Sequence, residues 1–240
     1  MCVVKLLEHL GENLRQALVP IHRDGWPFVA GGLVVAVLLG LLFAPLFWLG
    51  LLVTAWMAYF FRDPPRVSPQ GDDLVVSPAD GVIRAITARR PPPELGFGEA
   101  PRTCISVFLN IFDVHVNRAP VGGRITRLAY HPGKFLNAAH DKASEDNERQ
   151  SYRIETPQGD VYGFVQIAGL IARRIVCAVR EGDVVAAGQR VGLIRFGSRC
   201  DVYLPDGCAP LVAVGQRAIA GETVFADGRR NQPPRGWRRS

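Results

Sequence analysis

The sequence holds no CxxC pair, and none of its five cysteines (Cys2, Cys104, Cys177, Cys200, Cys208) has a histidine at zinc-ligand spacing. An odd, scattered set argues against a disulfide frame or a structural zinc site and reads as reduced thiols in a cytosolic compartment. His131 and His140 lack the clustered carboxylates or thiols that would make them ligands, so no metal site is expected. Acid is missing from residues 228–240 (GRRNQPPRGWRRS), which carry five arginines; without that tail the net charge of +6 falls to +1. The remainder shows no broad basic face with interleaved aromatics, which argues against nucleic acid as a partner of the body. The basic tail reads either as a solvated end or as a contact for phosphate groups of lipid or RNA.

Charge of either sign is also absent from Phe28 to Phe61, FVAGGLVVAVLLGLLFAPLFWLGLLVTAWMAYFF, a run of 34 residues. That length argues against a cleaved signal peptide, whose apolar stretch is about 7–15 residues, and reads as a membrane segment. One unbroken helix would be roughly 50 Å long against a hydrocarbon core of about 30 Å. Pro45 falls near its middle, so two shorter helices, about 29–43 and 46–61, are expected as a hairpin that enters and leaves by one face. Both halves are slightly short, which leaves open whether the hairpin spans or is re-entrant. Lys5, Arg15 and Arg23 precede the segment and Arg62 and Arg66 follow it, a balance that suits a hairpin with both ends cytosolic. Within residues 1–27, Val4, Leu7, Leu10, Leu14 and Leu18 recur at helical spacing, as in an interfacial amphipathic helix or an ordinary packed one.

After Pro64 and Pro65 the composition turns to Gly, Pro and β-branched residues. VVSPADGVIRAIT, CISVFLNIFDVHVNRAP, SYRIETPQGDVYGFVQIA and QRVGLIRFGSRCDVYLP read as short strands between turns. The expected fold class is therefore mainly β: a compact sheet or barrel-sandwich-like body over residues 66–227, behind the helical membrane hairpin. EGDVVAAGQRVGLI reads as a hammerhead-type hairpin with Gly182, Asp183 and Gly188 in its turns. Biotinyl and lipoyl carriers present a modifiable lysine there, and the lack of lysine between Glu181 and Ile194 argues against a carrier. Within RFGSRCDVYLP a Gly-Ser pair interrupts an alternating strand pattern, which by itself marks a bulge or a turn.

Four blocks, VSPADG (76–81), FLNIFDVHVNRAP (108–120), GKFLNAAHDKASEDNER (133–149) and GLIRFGSRCDVYLP (192–205), together resemble the short-form, membrane-bound phosphatidylserine decarboxylase proenzymes. The resemblance runs from the hydrophobic hairpin to about residue 225. It implies that Ser198 Oγ attacks the Gly197 carbonyl, that the resulting ester is eliminated, and that the dehydroalanine so formed hydrolyses to a pyruvoyl group with release of ammonia. The proenzyme would thereby be cut between Gly197 and Ser198 into a large and a small chain. Glycine on the acyl side, lacking Cβ, lets the hydroxyl approach. The pyruvoyl group, a covalent cofactor derived from Ser198, would form a Schiff base with phosphatidylserine and accept electrons as CO2 leaves, giving phosphatidylethanolamine.

Asp80 in SPADG and His115 in DVHVN match the family's charge-relay positions and join Ser198 as expected catalytic residues, carboxylate orienting imidazole. The longer bacterial form carries a second histidine three residues after the first; Arg118 stands there in this chain, so His115 would serve cleavage, the later protonation, or both. Arg118, with Asn147 and Arg149 of KASEDNER, is a candidate headgroup contact; a surface ion pair and a solvated loop are the plain alternatives. The implied partners are phosphatidylserine, an anionic membrane and the proenzyme's own two chains, with a homo-oligomer left open. The implied location is the cell membrane, catalytic domain on the cytosolic side. Two other readings are a membrane-tethered hammerhead adaptor without catalysis and a pyruvoyl decarboxylase of a soluble amino acid; the latter has no use for a hydrophobic hairpin.

Overall fold

In a computed structural model the uncharged run forms two helices, α1 (Trp26–Leu42) and α2 (Ala44–Phe60). The structure describes residues 19–71, 73–133, 147–169, 174–195 and 198–228. The expected amphipathic segment before residue 19, residues 142–146 of KASEDNER, His140, Gly197 and the basic tail beyond Gly228 lie outside them. The chain divides into two compact units, Met1–Pro65 and Arg66–Ser240.

The break between the helices is Phe43, whose backbone is extended (φ −158°, ψ 116°). Pro45 sits just inside α2, where its missing N–H forfeits no helical bond. Both helices consequently start and end slightly earlier than composition suggested. They run antiparallel along a seam of small residues: a Cβ on Gly32 would lie 2.7 Å from Thr54 Oγ1, one on Gly50 2.7 Å from Ala36 Cβ, and one on Gly40 2.8 Å from Phe47 Cβ. The chain entering and leaving the pair is tied by His22 N–H to Phe61 O (2.8 Å) and Asp63 N–H to Pro20 O (2.7 Å). With glycines at the contact, the large side chains point outward, and Leu41 and Leu42 are 79% and 81% exposed. α1 with the short turn before it, Arg23–Leu42, is long and apolar enough to cross a membrane; α2 is apolar but shorter.

The second unit is mainly β. Its strands are β1 (Leu74–Val76), β2 (Gly81–Arg89), β3 (Arg102–Leu109), β4 (Val116–Arg118), β5 (Gly123–His131), β6 (Arg149–Glu155), β7 (Val161–Ala168), β8 (Arg174–Cys177), β9 (Val184–Val185), β10 (Arg190–Arg195), β11 (Ser198–Tyr203), β12 (Arg217–Ala218) and β13 (Val224–Asp227). Eight form an antiparallel sheet in the order β12-β2-β3-β11-β7-β6-β5-β9; β4-β10-β8 make a second sheet and β1-β13 a third. The turn residues expected around the hammerhead stretch are in place: Gly182 and Gly188 adopt φ of 94° and 77°, and Asp183 Oδ2 accepts from Arg180 N–H (2.8 Å). The short β9 joins the large sheet and β10 the three-stranded one, so the stretch links two layers.

The core lies between those layers. Ile83, Ile105, Val107, Leu109, Cys200 and Val202 of the large sheet pack with Ile175, Val191 and Ile194 of the small one, all buried. β11 is buried along its whole length on both faces, as a central strand must be. Its other face, at Tyr203, packs with Val165, Ile167, Cys104 and Leu95, the last from a short 3-10 turn (Pro93–Leu95) that covers the sheet.

Candidate active site

Between Arg195, the last residue of β10, and Ser198, the first of β11, the chain leaves the three-stranded sheet and enters the centre of the eight-stranded one. The Gly-Ser pair of the sequence thus marks a change of sheet. Ser198 is fully buried, and its Oγ has no hydrogen-bond partner among the described residues. Burying a hydroxyl without a partner costs about 1–3 kcal/mol, so a fold keeps one only where it serves a purpose.

Sheet register then decides what surrounds this hydroxyl. Val82, Phe108, Arg199, Ile167 and Arg149 form one row across β2, β3, β11, β7 and β6. Ser198 lies one residue beyond that row, paired with Leu109 and Ala168. Asp80 precedes β2, Asn110 follows β3 and Asn147 precedes β6, so all three emerge at the end of the sheet where Ser198 lies.

The chain after β3 makes a tight turn at this end. Asn110 N–H donates to Asp113 Oδ2 (2.9 Å), Phe112 N–H to Asn110 Oδ1 (2.7 Å) and Asp113 N–H to Asn110 O (3.0 Å). Arg217 of β12 holds Asp113 Oδ1 at 2.6 Å. The turn delivers His115, fully buried, whose Nδ1 lies 2.9 Å from Asp113 O. A carbonyl can only accept, so Nδ1 carries the proton and Nε2 is the basic nitrogen of the neutral ring. His115 O accepts from Ile194 N–H (3.2 Å), four residues before Ser198, which ties the turn to β10.

Asp80 is buried, with Oδ2 accepting from Arg66 (2.8 Å) and Oδ1 from Ala220 N–H (2.8 Å). Its turn lies against β4 through Arg118 N–H to Pro78 O (2.9 Å). The glycine that ends SPADG is required by geometry. Gly81 has φ 156°, and a Cβ there would run into the Phe108 carbonyl oxygen. The acceptor at Nδ1 of His115 is the Asp113 carbonyl, a backbone group no residue pattern announces.

Arg118 is 6% exposed, and one of its guanidinium nitrogens donates to Gly188 O (2.9 Å). Asn147 is fully buried and donates through Nδ2 to Ala168 O (2.7 Å), the residue paired with Ser198. Arg149 is also buried, donating through Nε to Glu94 Oε1 (2.6 Å) and through Nη2 to Oε2 (3.2 Å). Burial opposes ionisation of Glu94, but the bonds from Arg149, its own backbone and Ser151 outweigh it and hold the carboxyl below the usual range. The part of KASEDNER that is described is therefore no solvated loop. Register places Asn147 closer to Ser198 than Arg149, whose guanidinium is engaged by Glu94.

Several polar groups here were not anticipated. Gln166 of β7 donates through Nε2 to Asn117 Oδ1 (2.8 Å) and accepts from the Tyr152 hydroxyl, a fully buried chain linking the two sheets. Asn117 Nδ2 has no partner among the described residues. Glu148, buried, takes Tyr130 OH (3.1 Å) and Ile175 N–H (3.2 Å) on Oε1. Of these, Asn117 and Glu148 flank residues already singled out, Arg118 and Asn147, but only the partner across the sheet distinguishes them from ordinary polar positions. Cys104 and Cys200 are buried free thiols that burial pushes well above the usual range, so neither is a nucleophile at neutral pH. Among the described residues no three His, Cys, Asp or Glu side chains are grouped to hold a metal ion.

At one end of a central strand, then, lie a buried serine without a partner among the described residues, a histidine with a fixed tautomer, a carboxylate held by arginine and an amide two strands away. The family model described as phosphatidylserine decarboxylase matches residues 53–226, which include all of these groups. Because the match covers most of the chain, the protein belongs to the phosphatidylserine decarboxylase family.

Proposed function

We propose that this chain is a self-processing, pyruvoyl-dependent phosphatidylserine decarboxylase, cut between Gly197 and Ser198 into a large chain and a small one. The observation that carries the reading is the buried Ser198 Oγ, without a partner among the described residues, on the residue that follows Gly197. In this reading His115 Nε2 takes the hydroxyl proton while Nδ1–H stays on the Asp113 carbonyl, which holds the ring in one tautomer. Ser198 Oγ attacks the Gly197 carbonyl and the amide becomes an ester. Removal of the Ser198 α-proton expels the Gly197 carboxylate, and the residual enamine takes up water and releases ammonia.

The residues present fit a pyruvoyl group at position 198: the position is buried, paired with Leu109 and Ala168 on the neighbouring strands, and fixed in a strand. Such a group supplies an electron sink for loss of CO2 from an α-amino acid headgroup. The chain's own residues do the remainder. Asn147 and Arg118 hold the headgroup's charged oxygens, and Arg149, neutralised by Glu94, stiffens the wall. Asp80 and His115 set the charge around the reacting atoms, and His115 Nε2 returns a proton to the former α-carbon.

The domain plan that goes with this reading is an interfacial segment (1–27), a membrane hairpin (28–61), the decarboxylase domain (66–227) and a basic tail (228–240). The outward-facing leucines and the glycine seam support a hairpin whose surroundings are lipid. Its two ends, joined by hydrogen bonds, support flanks that emerge on one side, and this reading assigns that side to the cytosolic face of the cell membrane. The test is denaturing mass analysis of the purified protein. Two chains should appear, the smaller starting with a blocked residue derived from Ser198. Ser198→Ala should remain one chain with no decarboxylase activity, and an uncut, active wild type would overturn the proposal.

A further inference from the structure

The turn after β3 has a feature that the chemistry of the site does not use. Its base is buried, with Asp113 1% exposed, whereas its tip presents Ile111 at 37% and Phe112 at 58% exposure. Two large apolar side chains on a water-exposed tip are costly unless something apolar covers them. The tip is also held stiffly, by the three bonds among Asn110, Phe112 and Asp113 and by the 2.6 Å clamp from Arg217. Two exposed arginines flank it. Arg217 keeps 64% of its side chain exposed, and Arg84, also exposed, lies over the Phe108 ring two residues before the turn. Asp113 and Asp80, also at this end, are buried and paired with arginines. Ile219, 38% exposed, follows β12 beside Arg217.

We infer that Ile111 and Phe112 form a fixed apolar finger that enters the headgroup region of an anionic bilayer and brings the Ser198 end of the sheet down to the lipid surface. The inference rests on the family reading, which makes the substrate a bilayer lipid with a negatively charged headgroup. A fully buried Ser198 obliges that headgroup to rise out of the membrane plane, and the finger leads directly into the strand-end row that holds Ser198. Arg217 and Arg84 supply the complement for anionic headgroups, while the two side chains reach the acyl boundary, the division of labour found in interfacial segments. Because the finger is prefolded, little conformational entropy is lost when it inserts.

The experiment uses the full chain in vesicles of phosphatidylcholine and phosphatidylserine in equal parts. A photoreactive benzoylphenylalanine placed at Phe112 should form phospholipid adducts on irradiation, read by peptide mass, whereas the same group at the exposed Val184 of β9 should form none. Converting both tip residues, Ile111→Ser with Phe112→Ser, should raise KM for bilayer phosphatidylserine about tenfold. It should leave self-cleavage and turnover of a short-chain, water-soluble phosphatidylserine unchanged. No lipid adduct at Phe112, adducts to a second copy of the chain in its place, or equal loss on soluble and bilayer substrate would each overturn the inference. Were the wild type itself inactive on the soluble substrate, the decarboxylase reading would fail, while the adduct at Phe112 would still report on the membrane contact.

Discussion

The helical hairpin and the β unit are built with opposite polarity of packing. In the hairpin the contact is made by Gly32, Ala36, Gly40 and Gly50, and the leucines face outward; in the β unit Ile83, Ile105, Val107 and Leu193 are fully buried and the glycines serve turns and close strand approaches. Where water surrounds a domain, burying apolar area is the dominant favourable term, so the largest side chains go inside. Where the surroundings are apolar, that term vanishes between helices, and close backbone approach through small residues takes its place. The same residue type therefore carries different information in the two units. A leucine in the hairpin reports on the surroundings, and one in the sheet reports on the core.

If the comparison is correct, changes in one unit leave the property of the other untouched. The largest effect is expected at His115. His115→Ala should slow cleavage or lipid turnover by about 10²–10⁴-fold, the usual worth of a positioned proton-transfer group. Membrane retention, read by vesicle flotation in high salt, should not change. Near-normal cleavage and turnover would make His115 a core residue.

Gly81→Ala comes next. The new Cβ meets the Phe108 carbonyl at a backbone angle that side chains rarely adopt, so β2 must shift from β3 just where Asp80 is set. A loss of about 2–4 kcal/mol in the stability of the β unit is expected, with cleavage impaired, measured by thermal unfolding in detergent. An unchanged midpoint would show that the strand approach is looser than its geometry.

Gly50→Leu tests the other unit. Its side chain would collide with Ala36 and part the helices, costing about 1–3 kcal/mol of hairpin association. Protease protection of the helices in vesicles should fall, while the Gly197–Ser198 bond is cut at the normal rate. Slower cleavage would mean that the two units are energetically coupled.

The smallest effect concerns Glu94. Its native pKa lies below the ordinary 4.5, so its contribution to stability is fully present above that pH and is lost as pH falls through the lower native value. Glu94→Gln should therefore lower stability by about 1 kcal/mol near neutral pH, and the gap from wild type should close as the solution is acidified. A gap that is constant with pH would mean that the Arg149 contact acts by packing alone.

Composition and local order were sufficient for much of this. An uncharged run with a proline inside it specifies two apolar helices and the neighbourhood of their break, because hydropathy and proline sterics act over a few residues. Alternating β-branched stretches separated by Gly, Asp and Pro specify a β body for the same reason. The Gly-Ser pair, with its three companion blocks, pointed to the strand end where Ser198 is buried.

What only the tertiary structure decided is which groups meet. Asp80, Asn110, Asn147 and Ser198 are distant in sequence and share one end of the sheet because of strand order and register, and register depends on pairings between segments far apart. The acceptor for His115 Nδ1 is a backbone carbonyl, and every residue has one, so no pattern of side chains could reveal it. Resemblance made Arg149 a candidate headgroup contact; its ion pair with Glu94 comes from a 3-10 turn, 55 positions away in sequence, that folds over β6. Periodicity is a property of neighbours along the chain and can be read there, whereas a partner across a sheet exists only once the chain has closed on itself.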